Sequence, residues 1–63
     1  MSHTKVRLAD AVTQLKSMEE GLGDLLVREG RTDTARLIAI AKTNLETARL
    51  YCIEAVEVLA AGE

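Results

Sequence analysis

Apolar residues recur along the first half of the chain at steps of three and four positions, the spacing of one helical face. They are Leu8, Ala11, Leu15, Met18, Leu22 and Leu25. The pattern predicts a helix from Thr4 to Glu29, with Ser2 or Thr4 as its N-cap. Gly21 and Gly23 each weaken the helix interior by about 1 kcal/mol relative to alanine. We therefore expect this helix either to continue through the two glycines or to break there.

A turn and a second helix follow. Gly30 comes just after the last periodic residue, where a left-handed position favours glycine, and Thr32 and Asp33 are good N-caps. The sequence thus predicts a turn at Gly30 to Thr32 and a helix from about Asp33 to Ala60. In this helix apolar residues repeat every seven positions, and alanines stand in register beside them. These residues are Ile38, Leu45, Cys52 and Leu59, with Ala41, Ala48 and Ala55.

A turn this short makes the two helices antiparallel, so the predicted fold is an all-α helical hairpin forming a single domain, residues 1–63. The second helix has apolar residues on its other sides as well. These are Leu37, Ile40, Leu50, Tyr51, Ile53, Val56 and Val58. A helix that is apolar nearly all round is buried nearly all round, and one partner helix cannot cover it. We therefore expect the hairpins to assemble into a symmetric homo-oligomer through the second helix.

Size and composition agree with assembly. The 63 residues are 48% hydrophobic, but only 2% are aromatic, and there is no proline. A chain of this length buries about 60% of its unfolded surface, so burial barely offsets the conformational entropy lost on folding. Cys52 is the only cysteine, so no disulfide within the chain can add stability. It is better interpreted as a small packing residue in a reducing compartment.

Several classes of function are disfavoured. The net charge of −2 gives no electrostatic footprint for duplex nucleic acid. Neither a signal peptide nor an apolar run long enough for a membrane span is present, which favours a cytoplasmic protein without membrane contact. His3, the only histidine, lies at the N-terminus, so we expect no enzyme activity. Glu19, Glu20 and Asp24 are interpreted as a solvated acidic face rather than a metal site, and no cofactor is expected.

A polar segment interrupts the second helix. Lys42, Thr43, Asn44 and Thr47 gather at its centre, although threonine and asparagine are mediocre helix formers. Arg36, Lys42 and Arg49 follow one another at spacings of six and seven residues. Lys16 of the first helix comes near the same height in an antiparallel hairpin. The segment is either a positively charged pocket or a solvent-exposed stripe between two packed faces.

The stretch from Arg36 to Val56 resembles the phage anti-CBASS cyclic-nucleotide sponge family. The pattern of that family has an Arg and an aromatic residue, an Ile-Ala-Arg-Thr core, a Leu-Gln pair, a small residue and a terminal Arg-Ala-Val. The corresponding residues here are Arg36, Leu37, Ile40-Ala41-Lys42-Thr43, Leu45-Glu46, Ala48 and Glu54-Ala55-Val56. In the first helix, Leu15-Lys16 is similar to an aliphatic-Lys step of the family, and Arg7 to an Arg that follows a Tyr.

Members of that family are short helical proteins that form symmetric oligomers. They sequester, without cleaving, the cyclic di- and trinucleotides of bacterial antiviral signalling. The resemblance implies such a ligand at pockets between subunits, in the cytoplasm of a host cell. Lys16, Arg36 and Lys42 would neutralise its phosphates, and Thr43 would donate a hydrogen bond. Further candidate ligand-binding residues are Arg7, Arg49 and Tyr51; either Tyr51 stacks on a base or the range of ligands differs from the family's.

Two alternatives stay open. The chain is a scaffold or adaptor protein if its apolar second helix docks on a partner helix rather than on itself. It is a Rop-like RNA-binding hairpin if its scattered cations form an electrostatic face, although the acidic balance argues against this. Those cations are Arg7, Lys16, Arg28 and Arg31.

Overall fold

A computed structural model describes residues 3–62 and confirms the predicted helical hairpin. Helix α1 spans His3–Glu29, helix α2 spans Asp33–Gly62, and the two pack against each other along their length. No strand is present within residues 3–62. The molecule is a rod with principal extents of 47 × 14 × 11 Å.

The turn is stabilised at both ends by caps that the sequence predicted. Gly30 has φ +67° and its N–H donates to the Leu26 carbonyl at 3.2 Å, a left-handed C-cap. Thr32 is the N-cap of α2, because its Oγ1 accepts a hydrogen bond of 3.0 Å from the Ala35 N–H. A residue with a Cβ would be strained at Gly30, since its left-handed conformation is costly for L-residues.

Helix α1 continues through both of its interior glycines without a break. Thr4 lies inside the helix as its second residue, so it is not the N-cap; Ser2 lies outside the described residues. Helix α2 extends to Gly62, two residues beyond the predicted end. Within residues 3–62, neither helix has a stretch long and hydrophobic enough to cross a lipid bilayer.

The helices meet along a seam of buried and half-buried residues that recur at alternating steps of three and four. This is the spacing that keeps one stripe of each helix facing its neighbour. In α1 the seam residues are Leu8, Val12, Leu15, Glu19, Leu22 and Leu26. In α2 they are Ala35, Ile38, Lys42, Leu45, Arg49, Cys52, Val56 and Leu59.

The predicted packing face was partly wrong in both helices. Met18 and Leu25 are 55% and 42% exposed, and Ala41 and Ala48 are exposed as well. In α1, Glu19 and Leu26 replace the expected Met18 and Leu25, while Ala11 is half-buried together with Val12. In α2, Lys42 and Arg49 enter the seam where Ala41 and Ala48 were expected, and Ala55 is half-buried as predicted. Each helix therefore buries a row of residues that is more polar than the row predicted from hydrophobicity.

Candidate functional site

One ion pair crosses the seam near its middle. Arg49 Nε donates to Glu19 Oε2 at 2.6 Å, and Arg49 Nη2 donates to Glu19 Oε1 at 3.4 Å. Glu19 is one of two buried residues in the described chain, with 8% of its surface exposed. The hydrogen bond to Glu19 raises the pKa of Arg49, and the negative charges of Glu19 and Glu46 act in the same direction. Glu19 therefore belongs to the packing surface and not, as predicted, to a solvated acidic face.

Sequence reasoning missed this pair, although a signal for it was present. Glu19 lies four residues after Leu15 and three before Leu22, the step pattern of the seam. Arg49 has the same relation to Leu45 and Cys52. Two opposite charges at matching heptad positions of antiparallel helices predict a pair. Glu20 and Asp24 are exposed, as expected.

A second long side chain enters the seam beside a glycine. Lys42 is half-buried, and a Cβ built on Gly23 would lie 3.5 Å from Lys42 Cε. The aliphatic stem of Lys42 therefore lies across Gly23, where no other side chain competes for the space. Gly23 directly follows the seam residue Leu22, so it marks one flank of the hairpin, toward which Lys42 leans.

We call this flank the Gly23 side, and several predicted site residues share it. Lys16 lies seven residues before Gly23 and so emerges on the same flank of α1, but the Glu19–Arg49 contact places it at the height of Cys52, about as far from Arg36 along the rod as Tyr51 is.

Two antiparallel helices are related by a local two-fold axis normal to the plane that contains them, so equivalent heptad positions lie on the same side of the hairpin. Gly23 directly follows the seam residue Leu22. The α2 residues that directly follow seam leucines or their equivalents, such as Ala39 and Glu46, therefore lie on the Gly23 side, and Arg36 and Thr43 lie in the next row outward.

Arg36 and Thr43 line one shallow depression on α2. Its other lining residues are Ala39, Ile40 and Asn44, and its volume is about 290 Å³. Thr43 Oγ1 donates to the Ala39 carbonyl at 3.1 Å. The hydroxyl proton is thus already used, and the oxygen is left as an acceptor. Within residues 3–62, no carboxylate pairs with Arg36, Lys16 or Lys42.

The remaining predicted site residues lie elsewhere. Tyr51 is 68% exposed and lies 15 residues after Arg36 on the same helix, about 22 Å along the axis. It borders two depressions together with Glu54, and no cation lines either of them. Arg7 is exposed on α1, near the end of the rod that holds the chain termini. Arg49 already donates to Glu19, so an anionic ligand there would compete with a buried carboxylate.

The groups expected to be chemically inert are placed apart from the depression. His3 is exposed at the start of α1, and the Cys52 thiol is half-buried in the seam. Among the described residues, no three His, Cys, Asp or Glu side chains are grouped so as to hold a metal ion. The arrangement can therefore offer cations, a hydroxyl acceptor and apolar surface to a ligand, which is chemistry for binding.

Comparison with known proteins adds no relative: no protein-family model, no curated protein and no solved structure matches this chain.

Proposed function

We propose that the protein captures cyclic di- or trinucleotide messengers of bacterial antiviral immunity and holds them without cleavage at pockets between its own subunits. One observation carries the proposal. Arg36 and Thr43 share a depression on the same flank as Lys42, and neither Arg36 nor Lys42 is paired with a carboxylate of the described residues. The family resemblance of Arg36 to Val56 supports the same ligand class.

The depression suits one repeat of a cyclic nucleotide. A guanidinium binds a phosphate through two parallel hydrogen bonds, which makes Arg36 the strongest anion-binding group on this flank. Ala39 and Ile40 give an apolar surface beside it, against which a base can lie. Thr43 can accept a hydrogen bond from an amino or hydroxyl group of the ligand, because its own proton is donated to Ala39.

A single hairpin leaves the ligand half exposed. All five residues lining the depression belong to α2, and α1 contributes no wall. Small-molecule sites usually enclose most of the ligand surface. A neighbouring copy is the natural second wall, and the symmetry of an oligomer would match a ligand that is itself built from repeats.

Isothermal titration calorimetry with a panel of cyclic di- and trinucleotides tests the proposal. We expect at least one to bind at micromolar concentrations and to be recovered intact by chromatography. Arg36→Ala and Lys42→Met should each weaken its binding about tenfold, the loss expected for one charge-assisted hydrogen bond. Arg31→Ala is the matched control, because Arg31 is an exposed arginine in the turn that does not line the depression.

Two results would count against capture. The absence of heat with every member of the panel would remove the ligand class, and recovery of a linear product would mean that the protein is an enzyme. An RNA hairpin included in the panel addresses the Rop-like alternative. Binding of RNA that weakens steeply with salt, in the absence of cyclic-nucleotide binding, would favour that alternative.

A further inference from the structure

The flank opposite the Gly23 side has a strip without charge along its length. The strip consists of the residues that directly precede Val12, Glu19 and Leu26 and their heptad equivalents in each helix, and of the next row outward on α2. The α1 row is Thr4, Ala11, Met18 and Leu25. The α2 rows are Thr34, Ala41, Ala48 and Ala55, then Leu37, Asn44, Tyr51 and Val58. We call these twelve residues the groove face; one of them, Asn44, also borders the depression that Arg36 and Thr43 line.

The structure forms a groove on this face at the end of the rod with the chain termini. The groove has a volume of about 520 Å³, and both helices line it. Its lining residues are Thr4, Leu8, Tyr51, Glu54, Ala55, Val58 and Leu59. Ala55 lies low in the groove, while Tyr51 and Val58, each at least 66% exposed, form its wall on α2. Leu37, 61% exposed, continues the same row toward the turn.

The hairpin exposes more surface than a free-standing protein of its mass. The chain has 4848 Å² of accessible surface, whereas a compact monomer of 6.8 kDa has about 3,950 Å². The excess of about 900 Å² is close to the roughly 800 Å² that each partner buries in a stable protein interface. Only one apolar residue of the described chain, Ala35, is buried, and 6% of its surface is still exposed. The excess exposed surface is therefore about as large as the area that one partner buries in a stable interface.

The charges that flank the groove face indicate how a second copy would lie. Arg7 and Arg28 follow its edge on α1, and Glu54 lies at its edge on α2, within about 10 Å of Arg7 along the rod by the Glu19–Arg49 contact. A two-fold axis along the rod places α1 of one copy over α2 of the other, with Arg7 on the same edge as the partner's Glu54. An axis across the rod would instead bring Arg7 over Arg28 of the partner subunit. Like charges disfavour the second arrangement.

We infer that the groove face binds the same face of a second copy, about a two-fold axis parallel to the rod. The product is an isologous four-helix bundle in which neighbouring helices are antiparallel. This inference does not depend on the nucleotide ligand. It also explains why charged residues occupy the seam within one hairpin, because the charge-free strip is used between copies.

The mass of the protein in solution, measured by analytical ultracentrifugation without nucleotide, tests the inference. We expect the wild-type chain to sediment as a dimer or a multiple of one, and Leu37→Glu with Tyr51→Glu to shift it toward 6.8 kDa. Val27→Glu is the control, because Val27 is 85% exposed on a different face of α1. A helical wild-type monomer would overturn the inference, as would loss of assembly in the control alone or an unchanged mass in the double variant.

Two further measurements keep the result decisive if the double variant unfolds. The first is the rate of Met18 oxidation in the wild type, which should rise on dilution as copies separate. The same rate at a concentration where the protein sediments as a dimer and at one where it sediments as a monomer would overturn the inference, since Met18 is 55% exposed in the lone hairpin. The second is charge exchange. Arg7→Glu and Glu54→Arg should each weaken assembly a few-fold, and the combined variant should restore it; no restoration would overturn the proposed axis.

The proposal of nucleotide binding and the proposal of this interface can fail independently of each other. Dimers without nucleotide binding would leave the interface standing and remove the proposed function. Monomers that bind nucleotide would do the reverse. Monomers that gain mass only on a foreign helix would favour the adaptor alternative.

Discussion

The two flanks of the hairpin differ in chemistry although the same two helices form both. The groove face has twelve residues and no charge, whereas the corresponding rows of the Gly23 side hold four charged residues among eleven. Those eleven are Ala9, Lys16, Gly23, Ala39, Glu46, Ile53, Ala60, Arg36, Thr43, Leu50 and Glu57. The groove face is suited to association by hydrophobic burial, and the other flank to an anionic ligand that must also contact water.

One set of contacts between α1 and α2 therefore supports two surfaces of different chemistry. Glu19, Lys42 and Arg49 take seam positions that apolar residues would occupy in a hairpin built for stability alone. Such a hairpin would be more stable by itself, because a buried ion pair seldom exceeds well-packed apolar residues in its contribution. In this chain the apolar residues are left outside, on the groove face. Three predictions, each with its own variants, test this division.

The largest effect is expected in the seam, because both flanks depend on the contact between α1 and α2. Leu45→Ala removes a half-buried seam leucine, which should lower the free energy of unfolding by about 2 kcal/mol. Thermal unfolding followed by circular dichroism at fixed protein concentration measures this. Leu50→Ala is the matched control, since Leu50 is on the same helix and 53% exposed. Equal losses for the two variants would mean that Leu50 is buried as deeply as the seam in the assembled protein.

A smaller effect is expected at the ion pair. Glu19→Leu leaves Arg49 in the seam without its partner, so the melting temperature should fall. The double substitution Glu19→Leu with Arg49→Leu should recover the loss or exceed it, because the layer then becomes apolar. The same melting experiment tests both variants. A double variant less stable than the single one would show that Arg49 has a stabilising role beyond Glu19.

The smallest effect is expected at the two interior glycines of α1. A Cβ at Gly21 meets nothing within 4 Å, and one at Gly23 makes an ordinary contact with the Lys42 stem. Gly21→Ala and Gly23→Ala should therefore each raise stability by up to about 1 kcal/mol through helix propensity. The pair also compares the flanks, since Gly21 lies beside the groove face and Gly23 opposite it. A loss of stability or assembly on Gly21→Ala would extend the interface onto the outer surface of α1.

Much of the hairpin could be predicted from local chemistry. The helix bounds, the left-handed Gly30 and the Thr32 cap follow from a few residues whose conformational preferences are strong. The candidate site was less predictable. Arg36, Thr43 and Lys16 could be singled out as polar groups, but the flank on which each lies depends on the rotation of each helix about its axis, and their spacing along the rod depends on the register between the helices.

Local residue preferences predict two helices, the turn between them and the leucines that every packing arrangement must use. They do not predict which residues beside those leucines are buried, because the rows with Met18 and Ala48 are more hydrophobic than the rows with Glu19 and Arg49. Contacts between the two helices make that choice. A carboxylate meets a guanidinium, and a lysine stem meets a glycine, across a seam that neither helix forms alone.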